Sequence, residues 1–387
     1  MNFLSRANAL EAEMRLFFED LHRHPESAHQ EVRTNRRVRE ALTAAGIAFL
    51  APKENITIAV IHGAKPGKTV GLRFDTDALK LNELADVPYK SEEPGVMHGC
   101  GHDAHTTCGV FVSRMLFEAR ERLCGTYKVI FQPAEEGEHG ADEVKATGLV
   151  DDVDAFFGLH VWSPYDSGTL HASAGPITAT TDMFKVVLHG KGGHGATPEL
   201  CVDAVTAGAA VVQSLQHIAS RFIAPRQPVV VTVGSFHAGT TCNIIAHEAV
   251  LEGTLRCFDD AVHEELMAHF RRIITLVSEA HGCTCDIDID TVANVTINNE
   301  ALVEMARDAA RELVPEEAVQ NQRPFMLGDD FGEYRSIAPC CYVQVGIRSP
   351  EKNCCHAHHS GLFKVDEDML PLCAAWLAGC AQRAAEA

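Results

Sequence analysis

The sequence predicts an α/β protein: a mainly parallel-sheet domain with an inserted α+β module. Three observations predict it. Short apolar runs alternate with helical stretches through the first part of the chain, as strands buried between helices do. The middle of the chain changes pattern, to strands that alternate in polarity and two amphipathic helices. At 387 residues the chain also exceeds what one hydrophobic core usually serves.

The elements follow in order. Leu10, Met14, Phe17, Phe18 and Leu21 recur at helical spacing, and this helix must stop near Pro25. A second helix is expected over residues 34–46, with Val38 and Leu42 on one face. The runs "NITIAVI", "TVGLRF", "YKVIFQ" and "VDAFFGLH" read as buried strands, and "GVFVSRMLFEARERL" as a helix between them. "DMFKVVLHGKGG" begins the inserted module, followed by the helix "DAVTAGAAVVQSLQHIASR" and two or three strands over residues 228–258. Val262, Leu266, Phe270, Ile273, Ile274 and Val277 then share one helical face, and "CTCDIDIDTV" alternates strictly, as a half-buried edge strand does. The first domain is expected over residues 1–176 and 293–387, and the inserted module over 177–292.

Composition narrows the class. Hydrophobic residues make up 46% and charged residues 22%, the balance of a globular protein, and no apolar run approaches the roughly 20 residues of a membrane helix. The first residues lack the pattern of a signal peptide, so a cytoplasmic location is expected. A net charge of −20 argues against a nucleic-acid partner. The fourteen cysteines form no regular framework and are expected to be reduced.

Ionisable residues gather at strand ends: Asp75 and Asp77 after "VGLRF", Glu135 and Glu136 after "YKVIFQP", and His160 after "DAFFGL". Ligands of open α/β sheets bind at those ends. The stretch "VMHGCGHDAHTT" adds Cys100 and His102, and "CCHAHHSGLF" adds His356, His358 and His359. Thiolate, imidazole and carboxylate together suit a borderline-soft divalent cation such as Zn²⁺ or Mn²⁺. Adjacent glutamates suit a division of labour, one holding metal while the other moves a proton. Metal-assisted hydrolysis is therefore the favoured chemistry. A Cys100–His nucleophilic pair leaves Glu136 and His160 unexplained, and a purely structural zinc site does not call for paired glutamates.

The motifs "HRHPE", "RFDTDAL", "GVMHGCGHDAHT", "FQPAEEG", "GLH", "GKGGHGATPE", "NII", "GTLR", "RPFMLGDDFGEY" and "HHSGLFKVDED" occur in this order along nearly the whole chain. In this the chain resembles the amidohydrolase branch of the di-metal aminoacylase and carboxypeptidase family, and within it hippurate hydrolases. The resemblance implies two divalent ions per subunit, Mn²⁺ or Zn²⁺ with Ni²⁺ or Co²⁺ as alternatives. It implies Cys100, His102, Glu136, His160 and His359 as their ligands, with His358 the fallback for the last. Glu135 would be general base and then acid, with Asp77 and Asp103 orienting ligands from behind. The first domain would be catalytic and the inserted one a lid and dimerisation domain, with a hinge near residues 177 and 292. His194 would stabilise the oxyanion in a neighbouring subunit's site, and Asn243 and Arg256 would hold substrate. The implied activity is hydrolysis of N-acyl amino acids by a homodimer or homotetramer. A dipeptidase or carboxypeptidase, or a non-catalytic binder on the same fold, are the alternatives. Asp329, Lys80 and Gly361 depart from the family pattern; Asp329, where glutamate is more usual, is expected to alter the geometry behind the ligands, while Lys80 and Gly361 touch no implied ligand.

Overall fold

A computed structural model of the chain describes residues 2–137 and 139–387. These residues form two compact units: residues 2–137, 139–177, 296–323 and 330–387, and residues 178–295 with 324–329. The segment 324–329 thus groups with the second unit.

The first unit opens with α1 (Phe3–Arg23), which buries Leu10, Met14, Phe18 and Leu21 and ends two residues before Pro25. Next comes α2 (Val32–Ala44). Its first turn is capped from a distance: the Glu26 carboxylate accepts from the backbone N–H groups of Arg33 and Thr34 at 2.9 and 2.7 Å. The main sheet contains β1 (Phe49–Lys53), β2 (Ile56–His62), β3 (Lys65–Asp75), β4 (Cys124–Gln132) and β5 (Ala155–Asp166), in the order β1-β2-β4-β3-β5 followed by the strand Cys340–Arg348. The centre is parallel: β3 pairs with β4 and β5, and β5 with Cys340–Arg348. Its edge is antiparallel, through β1-β2 and β2-β4.

Both faces of this sheet are covered, which is why its strands read as continuous apolar runs. On one side α1, α3 (His102–Ala119) and the C-terminal helix Leu370–Glu386 form the larger core with Leu72, Phe74, Val129, Phe157 and Val343. On the other, Ile58, Ile130, Phe156, Phe331, Tyr334 and Tyr342 pack together. The C-terminal helix is buried almost all round and has no amphipathic stripe, and small Ala, Gly and Cys side chains let it pack closely.

The second unit is a four-stranded antiparallel sheet in the order Val229–Ala238, Glu248–Cys257, Thr181–His189, Thr284–Ala293. Helices Ala204–His217 and Asp260–Ala280 supply Val211, Leu215, Leu266, Phe270 and Ile274 to its core, against Phe184, Val186, Leu188 and Leu251. On the edge strand Asp286, Asp288 and Asp290 are exposed while Ile287 and Ile289 lean inward, the period of two that "CTCDIDIDTV" carries. Among the described residues, no helix is long and apolar enough to cross a membrane.

Candidate metal centre

Four segments of the first unit bring the implied ligands together. β3 ends at Asp75, with Asp77 two residues on; β4 ends at Gln132, three residues before Glu135. His160 lies inside β5 rather than at its end. Gly158 pairs with Arg73, so His160 comes level with Asp75. Cys100 sits one residue before Gly101, the cap of α3, and His102 is that helix's first residue. Gly101 is obligatory: its φ is +95°, and a Cβ there would stand 2.5 Å from Val161 Cγ2. That answers for one of the glycines in "GCGHD".

Three overlapping sets of donor atoms lie within 4.8 Å of one another: Cys100, His102 and His160; Cys100, Glu136 and His359; His102, Glu135 and Glu136. Cys100 Sγ is 3.4 Å from His160 Nε2, and His359 Nε2 is 3.2 Å from Glu136 Oε1. The Glu135 carboxylate stands 3.7 Å from His102 Nε2. Hydrogen bonds behind the rings set their tautomers. His102 Nδ1 donates to the Asp77 carbonyl at 2.9 Å, with Asp77 Oδ1 at 3.3 Å; His160 Nδ1 donates to the Val161 carbonyl at 2.6 Å. Each ring therefore keeps the lone pair of Nε2 for another partner. His359 rather than His358 faces Glu136. The Nε2 of His358 accepts from the Ser163 N–H at 3.1 Å, and its ring stacks on Trp162.

A divalent cation fits these residues. His102 Nε2 is buried without a hydrogen-bond partner, although buried polar atoms are rarely left so. Burial alone would lower the His102 pKa, yet the nearby Asp75 and Cys100 push it well up. The His160 ring is held well below its ordinary value by burial and by His105 and His358, so it stays a neutral donor.

Around this cluster, fully buried groups hold the scaffold. His105 Nδ1 is 2.6 Å from Asp75 Oδ1, and its Nε2 accepts from the Val161 N–H at 3.0 Å, tying α3 to the strand that carries His160. Arg73 bridges Asp75 and Asp330 at 2.5 and 2.6 Å. Asp77 Oδ2 accepts from the Glu136 N–H at 3.1 Å. Asp103 caps the Ala104 N–H and binds His22 Nδ1 at 2.6 Å.

His22 bridges Asp103 and Glu83. Burial would lower its pKa, but the two carboxylates overcome this and raise it to about 9. With an unfolded value near 6.5, the stabilisation from protonated His22 is fully present below about pH 6.5 and is lost as pH rises through about 9. His22→Ala leaves two buried carboxylates unpaired. Urea unfolding at pH 6.5 should show a loss of about 3–5 kcal/mol that narrows toward pH 9; equal stability at both pH values would contradict the ion pair.

The remaining predicted residues lie in the second unit. His194 is exposed and pairs across a short ribbon with Ile244, beside Asn243, whose carbonyl accepts from the Gly195 N–H at 2.9 Å. Arg256 donates to the Thr181 hydroxyl and the Met326 carbonyl at 3.0 and 2.9 Å, contacts within its own unit.

Similarity to known proteins extends over the whole fold. The model of Peptidase family M20/M25/M40 matches residues 71–383. Thermostable carboxypeptidase 2 of Saccharolobus solfataricus is 36% identical over 360 residues, covering 91% of this chain and 90% of the relative. The N-acyl-L-amino acid amidohydrolase of Geobacillus stearothermophilus is 38% identical over 280 residues, 72% of this chain and 76% of the relative. The crystal structure of Bacillus subtilis YXEP protein, a dinuclear metal-binding peptidase, superposes with a TM-score of 0.85 at 28% identity, covering 98% and 99% of the two chains.

Proposed function

The chain belongs to peptidase family M20/M25/M40, and from that premise we propose that it is a two-metal amidohydrolase cleaving N-acyl amino acids to a carboxylic acid and a free amino acid. The observation that carries the reading is the convergence of Cys100, His102, Glu136, His160 and His359 donor atoms beside a second glutamate, Glu135. Cys100, His102, Glu136, His160 and His359 would hold two divalent ions, Mn²⁺ or Zn²⁺. Bound there, the ions would polarise the amide carbonyl and lower the pKa of water. The protein's own part is proton traffic. Glu135 takes a proton from the attacking water and returns it to the leaving nitrogen as the C–N bond breaks. Asp77 keeps the His102 ring and the Glu136 backbone in register, and Asp103 supports the start of α3 through His22. His194 contributes to oxyanion stabilisation, and Asn243 and Arg256 to holding the substrate, as the family resemblance implies. The protein acts in the cytoplasm as a homodimer or homotetramer.

The names of two relatives support two neighbouring substrate classes, an N-acyl amino acid and a peptide cut at its carboxyl end. Both present an amide next to a carboxylate-bearing residue. A panel of N-benzoylglycine, N-acetyl amino acids and unblocked dipeptides, assayed for released amine with added divalent metal, separates them. The reading predicts cleavage of the acylated amino acids and not of the dipeptides; the reverse preference would move the protein to the peptidase class.

A further inference from the structure

The turn that presents Glu135 and Glu136 is itself strained and held by buried acids. Ala134, fully buried, has a φ of +55°, a left-handed conformation that a non-glycine residue keeps only when its surroundings impose it. Its N–H donates to Glu31 Oε1 at 2.8 Å, and its carbonyl accepts from the Gly140 N–H at 3.2 Å. Two residues on, the Glu136 N–H donates to Asp77 Oδ2. A carboxylate from α2's start and one from the loop after β3 thus clamp the turn at both ends.

Glu31 has no evident structural reason to be acidic. It occupies the N-cap position of α2, but its side chain does not cap that helix, whose first amides are taken by Glu26. It is fully buried, and its Oε2 has no hydrogen-bond partner. Even with the Ala134 N–H and the Asn55 side chain beside it, burying an ionisable carboxyl group works against folding. Burial first, and then the Asp77 carboxylate, push its pKa up to about 8. Glutamine keeps the length of this side chain and its carbonyl acceptor.

We infer that Glu31 is a positioning residue for the reaction, whose carboxyl oxygen fixes the left-handed Ala134 peptide and thereby aims the next residue, Glu135, at the reacting atoms. The inference rests on the reading of Glu135 as the proton-transfer group. It assigns Glu31 no contact with substrate. Misplacing a catalytic group by about 1 Å from a distance costs on the order of a hundredfold in rate.

The test compares Glu31→Leu and Glu31→Gln with the parent, each full-length and metal-loaded. Leucine keeps the volume and removes the acceptor; glutamine keeps the acceptor. Glu31→Leu should lose about a hundredfold in kcat, with KM and bound metal within about twofold of the parent. Glu31→Gln should stay within about threefold of the parent, which a role in stability alone does not require. Adding Ala134→Gly to Glu31→Leu removes the backbone strain and should return about tenfold of the lost kcat. The inference is overturned if Glu31→Leu turns over like the parent, or if leucine and glutamine reduce kcat, KM and metal content alike. An insoluble Glu31→Leu leaves Glu31→Gln to decide, since a hundredfold loss there also overturns it. An inactive parent would sink the amidohydrolase reading and this inference together, whereas an active parent beside an equally active Glu31→Leu sinks this inference alone.

Discussion

Glu135→Gln is expected to lower kcat about a thousandfold, the scale at which a positioned acid–base group contributes, while metal content stays at the parent level. The amide has the same shape but cannot accept the proton of the attacking water. The separation of effects follows from the proposed roles, Glu135 as proton carrier and Glu136 as metal ligand. Glu135 stands 3.7 Å from His102 Nε2, whereas Glu136 Oε1 lies 3.2 Å from His359 Nε2 and within one donor set with Cys100. Glu136→Gln should therefore lose metal as well as turnover. Steady-state release of amino acid, read beside elemental analysis of the same samples, distinguishes the two. Near-parental turnover by Glu135→Gln would remove it from the role of proton carrier.

Much of this fold is legible in the sequence because periodicity reports burial. The wholly apolar strands lie in a sheet covered on both faces, and the strictly alternating "CTCDIDIDTV" forms an edge strand with one face wet. Three features were not legible. The antiparallel pairing of β2 with β1 and β4 leaves no mark on "NITIAVI", since a run buried on both faces looks alike in either direction. The helix Leu370–Glu386 has no stripe to read, being buried nearly all round. Residues 324–329 group with the second unit through contacts such as Ala179 N–H to the Leu327 carbonyl, distant in sequence.

The candidate site divides in the same way. Its candidate ligands are visible because soft and hard donors rarely cluster without a cation, and because loops such as "GCGHDAH" combine them with glycine. The choice between His358 and His359 was open in the sequence; the structure turns His359 toward Glu136 and gives the His358 Nε2 lone pair to the Ser163 amide. Two supporting groups, Glu31 and His22, could not be found that way. Glu31 looks like an ordinary residue at a helix start, and its partner Ala134 is 103 positions away. His22 serves Asp103 across 81 positions. Such residues announce themselves only as buried polar groups whose partners lie elsewhere in the fold.

Removal of metal is expected to have the largest effect of all. The buried His102 Nε2 has no hydrogen-bond partner, and the carboxylates of Asp75 and Glu135 lie 3.9 and 3.7 Å from it. Stripping the protein with a chelator should abolish turnover and lower its melting temperature, because ligands that bind only the folded state stabilise it. The most direct measurement is a titration of the stripped protein with Mn²⁺ or Zn²⁺, following bound metal and hydrolysis of N-benzoylglycine and N-acetyl amino acids together. The account predicts no activity without metal and full activity as the second equivalent per subunit binds. Hydrolysis that survives complete stripping, or saturating metal that restores none, would contradict it.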